Sequence, residues 1–257
     1  MDNRPLVSII TPSYNQGKFL EETIRSIKDQ TYKNIEHIII DGGSTDNSID
    51  IIKQYQASLA YWVSEPDNGQ TDAINKGFRR AQGTIIAWLN SDDVYLPKAV
   101  ETAVESLTRD PSVDMLYGAC ELIDQDGRKV GLVESKAFSM RKLLMMANSY
   151  IAQPTVFFRK NLLKSIGYLD TSLDYVMDYD YWLRIGKQHT IRNIPDTLAK
   201  FRLHSASKSV HDAIPMHREA CKVRDSHFQP GFGEKALYWV GEIVFWTNYL
   251  KAKYSSR

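Results

Sequence analysis

The sequence predicts an α/β fold with a mostly parallel central sheet flanked by helices. Apolar runs of strand length alternate with amphipathic helical patterns through the first half of the chain. The runs are continuous rather than alternating, as in strands that helices cover on both faces. Polar turns follow Thr11, Ile40 and Leu89. Because ligands of such sheets bind beyond the carboxyl ends of the strands, we expect these turns to converge on one crevice.

The elements of the first half can be predicted in order. Strands are expected at residues 6–11, 37–41, 59–64 and 84–89. Helices are expected between them, the first with Leu20, Ile24 and Ile27 on one face, the others at 48–55 and 71–82. Gly42-Gly43-Ser44-Thr45-Asp46 offers turn and N-cap residues before the second helix.

The pattern becomes less regular after Asp110-Pro111. Asp124-Gln125-Asp126-Gly127 is typical of a hairpin turn and joins predicted strands at 113–123 and 129–133. Later elements are expected as helices at 139–147 and 179–187 and as strands at 155–158 and 191–201. No linker or low-complexity stretch separates the halves. We therefore expect one principal domain over residues 1–210 and a helical extension over 211–257.

Composition limits the class of protein. The 257 residues are 43% hydrophobic and 25% charged, with a net charge of +1, which favours a globular protein and gives no reason to expect a nucleic-acid partner. Cys120 and Cys221 are far apart and indicate neither a zinc site nor a disulfide. The N-terminus lacks a signal pattern, and no apolar run reaches the ~18 residues of a spanning helix. We expect a cytoplasmic protein.

Asn90-Ser91-Asp92-Asp93 is the most informative stretch of the sequence. It follows the apolar run at 85–89, so a predicted strand delivers two neighbouring acids to the crevice. Two unpaired carboxylates repel each other near a core, and a divalent cation removes that repulsion. Because hard cations prefer oxygen ligands, the tetrad predicts Mg²⁺ or Mn²⁺ bound with a phosphorylated ligand.

Three residues near the predicted strand ends have two interpretations each. Asp41 is either a turn or N-cap carboxylate or an acceptor for the edge of a nucleobase. Tyr14 either stacks on a base or fills a gap under its loop. Asp72 lies in the first turn of a predicted helix, where a carboxylate is stable without a ligand, and it is equally a candidate site residue.

Asp178 and Asp180 lie among aromatic residues in Met177-Asp178-Tyr179-Asp180-Tyr181-Trp182. Acids are common at the start of a helix for electrostatic reasons alone. Bulky neighbours, however, remove water from a carboxylate and raise its pKa. Such a carboxylate suits a general base, and either residue is a candidate.

The segment 201–209 is basic and rich in small residues. A loop of this kind can wrap a diphosphate, with Arg202 neutralising charge and hydroxyls such as that of Ser207 donating hydrogen bonds. His204 is a candidate metal ligand, and imidazole would favour Mn²⁺ over Mg²⁺. A lone histidine is more often an ordinary polar residue, so this assignment depends on its neighbours.

Taken together, five segments resemble motifs of the inverting glycosyltransferases of family 2, which have the GT-A fold of nucleotide-diphospho-sugar transferases. The segments are 7–15, 41–46, 90–93, 153–159 and the Arg-X-His at 202–204. The resemblance runs from about residue 6 to residue 209. It implies a GT-A domain over 1–210, and the segment at 153–159 would precede the helix that carries the catalytic base.

The resemblance implies a role for each matching residue. Pro12, Tyr14 and Asp41 would hold the nucleobase, and Asp92 would contact the ribose. Thr11 and Asp72 are further candidates for binding the nucleotide. Asp93 and His204 would bind the metal. The diphosphate or the acceptor would contact Gln153, Arg202 and Ser207. Asp178 matches the second position of the family's Glu-Asp pair and would be the base; because the first position is Met177, Asp180 remains an alternative.

The expected function is metal-dependent inverting transfer of a hexosyl or N-acetylhexosaminyl group from a nucleotide-sugar donor, with UDP-sugars as the default. The acceptor would be a glycan or lipid-linked molecule in polysaccharide biosynthesis. A nucleotidyltransferase is the alternative enzyme, although the loop at 12–17 lacks the basic residue that a triphosphate cradle needs. A non-catalytic nucleotide- or glycan-binding module is the alternative of another class.

The C-terminal stretch at 234–254 predicts a helix with an apolar, aromatic face. Such a face could pack on the domain or on the second copy of a homodimer. Alternatively, it could lie on a membrane surface near a lipid-linked acceptor, which would make the protein peripheral at the inner face of the plasma membrane.

Overall fold

The computed structural model describes residues 4–147, 150–205, 207 and 212–228. The predicted C-terminal helix at 234–254 lies outside these residues. Among the helices of the described ranges, none combines the length and apolar content that crossing a membrane requires.

One twisted sheet contains all the described strands. They are β1 Val7–Ser13, β2 Ile35–Asp41, β3 Tyr61–Ser64, β4 Ile85–Trp88, β5 Val94–Tyr95, β6 Met115–Ile123, β7 Lys129–Val133, β8 Phe157–Arg159 and β9 Ile191–Arg202. Their order is β3-β2-β1-β4-β8-β6-β9-β5, and β7 pairs with β6 outside this path.

The sheet has two parts of different character. The part built from β3, β2, β1 and β4 is parallel throughout, as the alternation of strands and helices predicts. Beyond β4 the pairing is mixed, because β8 is antiparallel to both of its neighbours while β6 and β9 are parallel to each other. The predicted parallel sheet therefore applies to the first half of the chain, where crossover helices separate the strands.

Helices cover both faces of the sheet. They are α1 Leu20–Lys28, α2 Ser48–Tyr55, α3 Gln70–Arg80, α4 Ala99–Arg109, α5 Met140–Met146, α6 Leu162–Ser165, α7 Met177–Gly186 and α8 Ala213–His227. The first four have strongly amphipathic sequences and bury their apolar faces. Helix α8 falls within the extension predicted at 211–257 and packs against α7.

An aromatic cluster joins the end of β4 to α7. The indoles of Trp88 and Trp182 stack with their ring centroids 5.4 Å apart. Phe158 packs edge-on against Trp88, and Tyr181 packs edge-on against Phe158. These rings are almost fully buried. Because Trp88 comes just before the acidic tetrad and Trp182 lies on the helix of Asp178, the cluster fixes the two candidate regions relative to each other.

Some boundaries differ from the predicted ones. Helix α7 begins at Met177 rather than at residue 179, which puts Asp178 in its first turn. The two-residue strand β5 follows the tetrad and pairs with residues 199–200 of β9, a contact between distant parts of the sequence. Strand β9 continues through Pro195, where its register against β6 shifts. Proline cannot donate a backbone hydrogen bond, so a shift at this point is expected.

Candidate active site

A cleft of about 1080 Å³ opens at the carboxyl ends of β1, β2 and β4. The turns after these strands converge on it, as the sequence predicts. Among the described residues, the charged side chains that line it are the carboxylates of Asp67, Asp92 and Asp178, and no Lys or Arg does so. An anionic ligand in this cleft would therefore need a cation.

The acidic tetrad divides between the cleft and the core. The Asp92 carboxylate faces the cleft, and its Oδ2 lies 3.0 Å from Nε2 of His204. Asp93 is fully buried, and its Oδ1 accepts a hydrogen bond from the backbone N–H of Arg202 at 3.1 Å. Burial and the neighbouring Asp92 charge raise the pKa of Asp93 well above its ordinary value. The sequence analysis assigned metal binding to Asp93, whereas in the structure it is the Asp92 carboxylate that lies beside His204.

Asp92 and His204 form a pair that fits a divalent cation. Nothing else in the described chain completes a set of three His, Cys, Asp or Glu side chains suited to a metal. Two protein ligands are nevertheless enough where the phosphates of a substrate and water complete the coordination, as is usual for Mg²⁺. Phe19 packs on the His204 ring, with centroids 4.8 Å apart, and helps to orient it.

Arg202 has its partners inside the protein rather than in the cleft. Its side chain is 2% exposed and forms an ion pair with Glu22. Its Nε donates to the carbonyl of Asp92 at 3.0 Å, and its Nη1 donates to the carbonyls of Asp124 and Gln125. The predicted role of Arg202 on a diphosphate does not match this arrangement, since the guanidinium joins α1, the tetrad and the β6–β7 hairpin.

A chain of side-chain amides crosses the floor of the cleft. Gln70 donates to Oδ1 of Asn90 at 2.8 Å, and Asn90 donates to Oε1 of Gln153 at 3.2 Å. Gln153 in turn donates to the carbonyl of Trp88 at 2.8 Å. All three amides line the cleft, as Gln153 was predicted to do. This series of hydrogen bonds holds the acidic tetrad in place beside Gln153, in the segment before β8.

At the end of the cleft near β1 and β2, the carboxylate that lines the cleft is not that of Asp41, as predicted, but that of Asp67. Asp41 is fully buried and accepts hydrogen bonds from Ser44 and Ser64 and from the backbone N–H of Gly43, so it holds its own loop together. Asp67, in the turn after β3, lines the cleft instead. A Cβ added at Gly42 would lie 2.7 Å from Oδ2 of Asp67, so the glycine makes room for this carboxylate.

The other predicted nucleotide-binding residues lie in two environments. Pro12 and Tyr14 line the cleft, and the Tyr14 ring is 60% exposed. Thr11 is buried behind them, with its hydroxyl 2.9 Å from Nε2 of His37. Asp72 is outside the cleft lining, where it accepts from the N–H of Asn68 and pairs with Lys76, which matches the local role of an acid in a first helical turn.

Asp178 and Asp180 differ in what surrounds them. Asp178 lines the cleft from the first turn of α7, and loss of water around it raises its pKa to about 6. Asp180 points away and accepts from Arg184 at 2.8 Å and His227 at 2.7 Å. Burial alone would raise the pKa of Asp180, but the hydrogen bond from His227 and the charge and hydrogen bond of Arg184 outweigh it and keep this pKa below its ordinary value. Of the two acids, Asp178 has the position and the pKa of a general base.

Residues of the segment 201–209 and of α8 complete the wall of the cleft. Ser207 lines the cleft, and its hydroxyl donates to the carbonyl of Arg202 and accepts from the N–H of His204. Met216 and His217 of α8 also line it, as does Tyr175 before α7. Sequence reasoning missed these three residues and Asp67, because no motif marks them and α8 follows α7 by more than 25 residues.

Comparisons with known proteins identify the family of the chain. The family model described as Glycosyl transferase family 2 matches residues 8–167. An uncharacterized glycosyltransferase of Rickettsia typhi is 34% identical over 208 residues, a match that covers 79% of this chain and 65% of that protein. One from Mycobacterium tuberculosis is 36% identical over 189 residues, covering 72% of this chain and 70% of that protein. The chain therefore spans somewhat less than two thirds of the Rickettsia relative.

Solved structures share the fold at lower sequence identity. Staphylococcus aureus TarS in complex with UDP-GlcNAc superposes with a TM-score of 0.64 at 17% identity, over 86% of this chain and 70% of that one. The mannosyltransferase PcManGT of Pyrobaculum calidifontis, in complex with GDP-Man and Mn²⁺, gives 0.62 at 17% identity, over 95% and 81%. The predicted GT-A fold is confirmed, and the chain belongs to glycosyl transferase family 2.

Proposed function

We propose that the chain transfers a sugar from a nucleotide-diphosphate donor to a hydroxyl of a glycan or lipid-linked acceptor, with inversion at the anomeric carbon. One observation carries the proposal. A single cleft is lined by Asp92, whose carboxylate is paired with His204 behind it, and by Asp178, a carboxylate with a raised pKa. The first fits the donor's diphosphate with its cation, and the second fits activation of the acceptor.

The donor half would depend on a divalent cation. Asp92 and His204 would hold Mn²⁺ or Mg²⁺, which when bound would supply the positive charge that the leaving diphosphate needs. The absence of Lys and Arg from the described lining supports this dependence. Imidazole as a ligand favours Mn²⁺. Asp93 would act indirectly, because its bond to the backbone of Arg202 keeps the tetrad beside β9.

The acceptor half would depend on Asp178. Its carboxylate would take the proton of the acceptor hydroxyl while that oxygen attacks the anomeric carbon. A pKa near 6 leaves it ionised at neutral pH and still basic enough to accept a proton. General bases of this kind contribute typically ~10²–10⁴-fold to the rate. Asp180 would not serve, since both of its oxygens are engaged by hydrogen bonds from Arg184 and His227.

The nucleobase would lie at the end of the cleft formed by Pro12, Tyr14 and the turn after β3. The exposed ring of Tyr14 is available for stacking. Asp67 would accept an N–H of the base, a role for which Asp41 has no free position. A carboxylate there suits uracil, thymine or guanine, whose rings carry an N–H at the base-pairing edge, so UDP-sugars remain the first choice and GDP-sugars the second.

Two other functions are less well supported. A nucleotidyltransferase would need a basic cradle after β1, and the turn there offers Ser13, Tyr14 and Gln16 to the cleft. A non-catalytic binding module would have no use for Asp178, because burying a carboxylate without a cation costs stability. We also propose polysaccharide biosynthesis in the cytoplasm as the setting, with homodimer formation or contact at the inner membrane surface through the C-terminal stretch.

A thermal-shift screen of nucleotide sugars with and without Mn²⁺ tests the donor half. The panel contains UDP-glucose, UDP-GlcNAc, GDP-mannose and dTDP-glucose, since neighbours of this fold are described with UDP-GlcNAc and with GDP-Man and Mn²⁺. We expect stabilisation by one base class, only with the metal, and its loss in Asp92→Ala. A shift of the same size without metal, or in Asp92→Ala, would contradict the proposal.

A further inference from the structure

We infer that Glu219 of α8 is a positioning residue that holds the start of α7, and with it Asp178, in the cleft. The inference rests on the proposed function, in which Asp178 is the base. It adds to that function a residue outside the segments that resemble the family, in a helix that no sequence motif marks.

Glu219 accepts three consecutive backbone hydrogen bonds just before α7. Its Oε1 accepts from the N–H of Asp174 at 3.0 Å, and its Oε2 accepts from Tyr175 at 2.8 Å and Val176 at 3.0 Å. Helix α7 starts at the next residue, and Val176 at its N-cap offers no side-chain acceptor. The carboxylate of another helix thus provides the anchor that the local sequence lacks.

The charge of Glu219 strengthens this contact. Hydrogen bonds from backbone N–H groups to a carboxylate are stronger than those to a neutral acceptor. The negative charge also lies at the N-terminus of α7, where the helix dipole favours it. A neutral side chain at residue 219 would lose both contributions.

A second contact fixes α7 to the end of the same helix. Nε2 of His227, the last residue of α8, lies 2.7 Å from Oδ1 of Asp180, whose other oxygen accepts from Arg184. Asp178 lies between the two anchored positions, 176 and 180. Helix α8 therefore restrains the backbone on both sides of the proposed base.

Helix α8 is at the same time part of the cleft. Met216, His217 and Ala220 line it, as does Tyr175, one of the residues that Glu219 binds. The anchor thus belongs to the wall beside Asp178. Because a base must lie within hydrogen-bond reach of its proton, displacement of α7 should slow transfer without weakening donor binding.

The test compares Glu219→Ala and Glu219→Gln with Lys222→Ala, a matched control on the exposed face of α8. Turnover is measured as release of UDP from UDP-GlcNAc, or of GDP from GDP-mannose if the screen selects it. We expect Glu219→Ala to lower kcat by about tenfold or more and to leave donor Kd within about twofold. Glu219→Gln should be intermediate, because one of its two terminal atoms can no longer accept. Lys222→Ala should match the wild type.

Two further measurements separate positioning from a general loss of structure. In the Asp178→Asn background, Glu219→Ala should lower kcat by less than about twofold, since its effect passes through Asp178. Amide exchange at residues 174–176 should accelerate at least about tenfold in Glu219→Ala and remain unchanged in Lys222→Ala. The exchange measurement needs no substrate.

The outcomes distinguish this inference from the proposed function. Normal kcat in folded Glu219→Ala or Glu219→Gln, or losses that multiply with those of Asp178→Asn, would overturn the inference alone. Normal kcat in Asp178→Asn would overturn the assignment of the base. If Glu219→Ala does not fold, Glu219→Gln decides, and a kcat equal to the wild type in that variant counts against the inference.

Discussion

The substitution Asp178→Asn should lower activity and raise stability at the same time. Burial raises the pKa of Asp178 to about 6, against about 3.9 in an unfolded chain. At a pH above both values the folded state carries a charge that its surroundings disfavour. A difference of roughly two pKa units corresponds to about 3 kcal/mol of lost stability at pH 8. Asparagine removes that charge and keeps an oxygen that can accept from the N–H of Tyr179.

The pH dependence of this effect has a definite sign. Asp178 binds a proton more tightly in the folded state, so its penalty fades as the pH falls towards the pKa of the unfolded chain. The stability gained in Asp178→Asn should therefore decrease from about 3 kcal/mol at pH 8 to about 1.5 kcal/mol at pH 5. Urea denaturation at the two pH values measures it.

Asp180→Asn is the matched control on the same turn of α7. The lowered pKa of Asp180 means that its charge stabilises the fold, so this variant should lose stability at pH 8 by leaving Arg184 and His227 without their partner. Initial rates of sugar transfer complete the comparison, with Asp178→Asn expected to lose ~10²–10⁴-fold. Near-normal turnover of Asp178→Asn, or an equal loss of stability in both variants, would rule out Asp178 as a base with a raised pKa.

Three further predictions concern the pH profile and the tetrad. The kcat/KM of the wild type should fall below about pH 6, where Asp178 takes up a proton, and a profile flat down to pH 5 would exclude it as the base. Calorimetry should find that Asp92→Ala loses Mn²⁺-dependent donor binding. Asp93→Asn keeps an acceptor for the backbone N–H of residue 202, so its donor Kd should lie within a few-fold of the wild-type value. Arg202→Met should destabilise the fold by roughly 1–3 kcal/mol, because buried carbonyls such as that of Asp92 lose their donor, and an unchanged denaturation midpoint would show that those contacts contribute little.

The parallel half of the sheet could be predicted because its signals are local. Each strand there is a continuous apolar run, and each is separated from the next by an amphipathic helix, so periodicity alone finds them. The helix at 48–55 was predicted at its observed bounds. The short strand β5 could not be found this way, because two residues have no periodicity and its partner lies more than 100 residues later.

The predicted candidate site and the structure differ at several residues, and these differences have one cause. The sequence identifies which polar residues follow the strands, but not which of them find partners in the core. Arg202 looked available to a diphosphate because it is basic, yet its partners come from α1 and from the hairpin. Asp41 and Asp93 likewise meet donors inside the protein, whereas Asp67 and Asp92 face the cleft. Satisfaction of buried polar groups is a property of the packed structure.

Met177 stands where the family's Glu-Asp pair has glutamate, and the structure helps to interpret this difference. Met177 is nearly buried at the start of α7, and the acid next to it is the one that lines the cleft. The choice between Asp178 and Asp180 depends on the direction in which each side chain points, since residues i and i+2 of an α-helix point about 200° apart. Because the sequence predicts the helix only from residue 179, it does not give the direction of the Asp178 side chain.

The stereochemistry of donor cleavage shows whether Asp178 assists a single inverting displacement. The donor selected by the screen, with an α-linked sugar, is incubated with the protein and Mn²⁺, and the anomeric proton of the new product is followed by ¹H NMR before mutarotation. A single displacement assisted by Asp178 predicts a β product, formed by the wild type and nearly absent with Asp178→Asn. An α product, or a β product formed equally fast by the variant, would contradict the account.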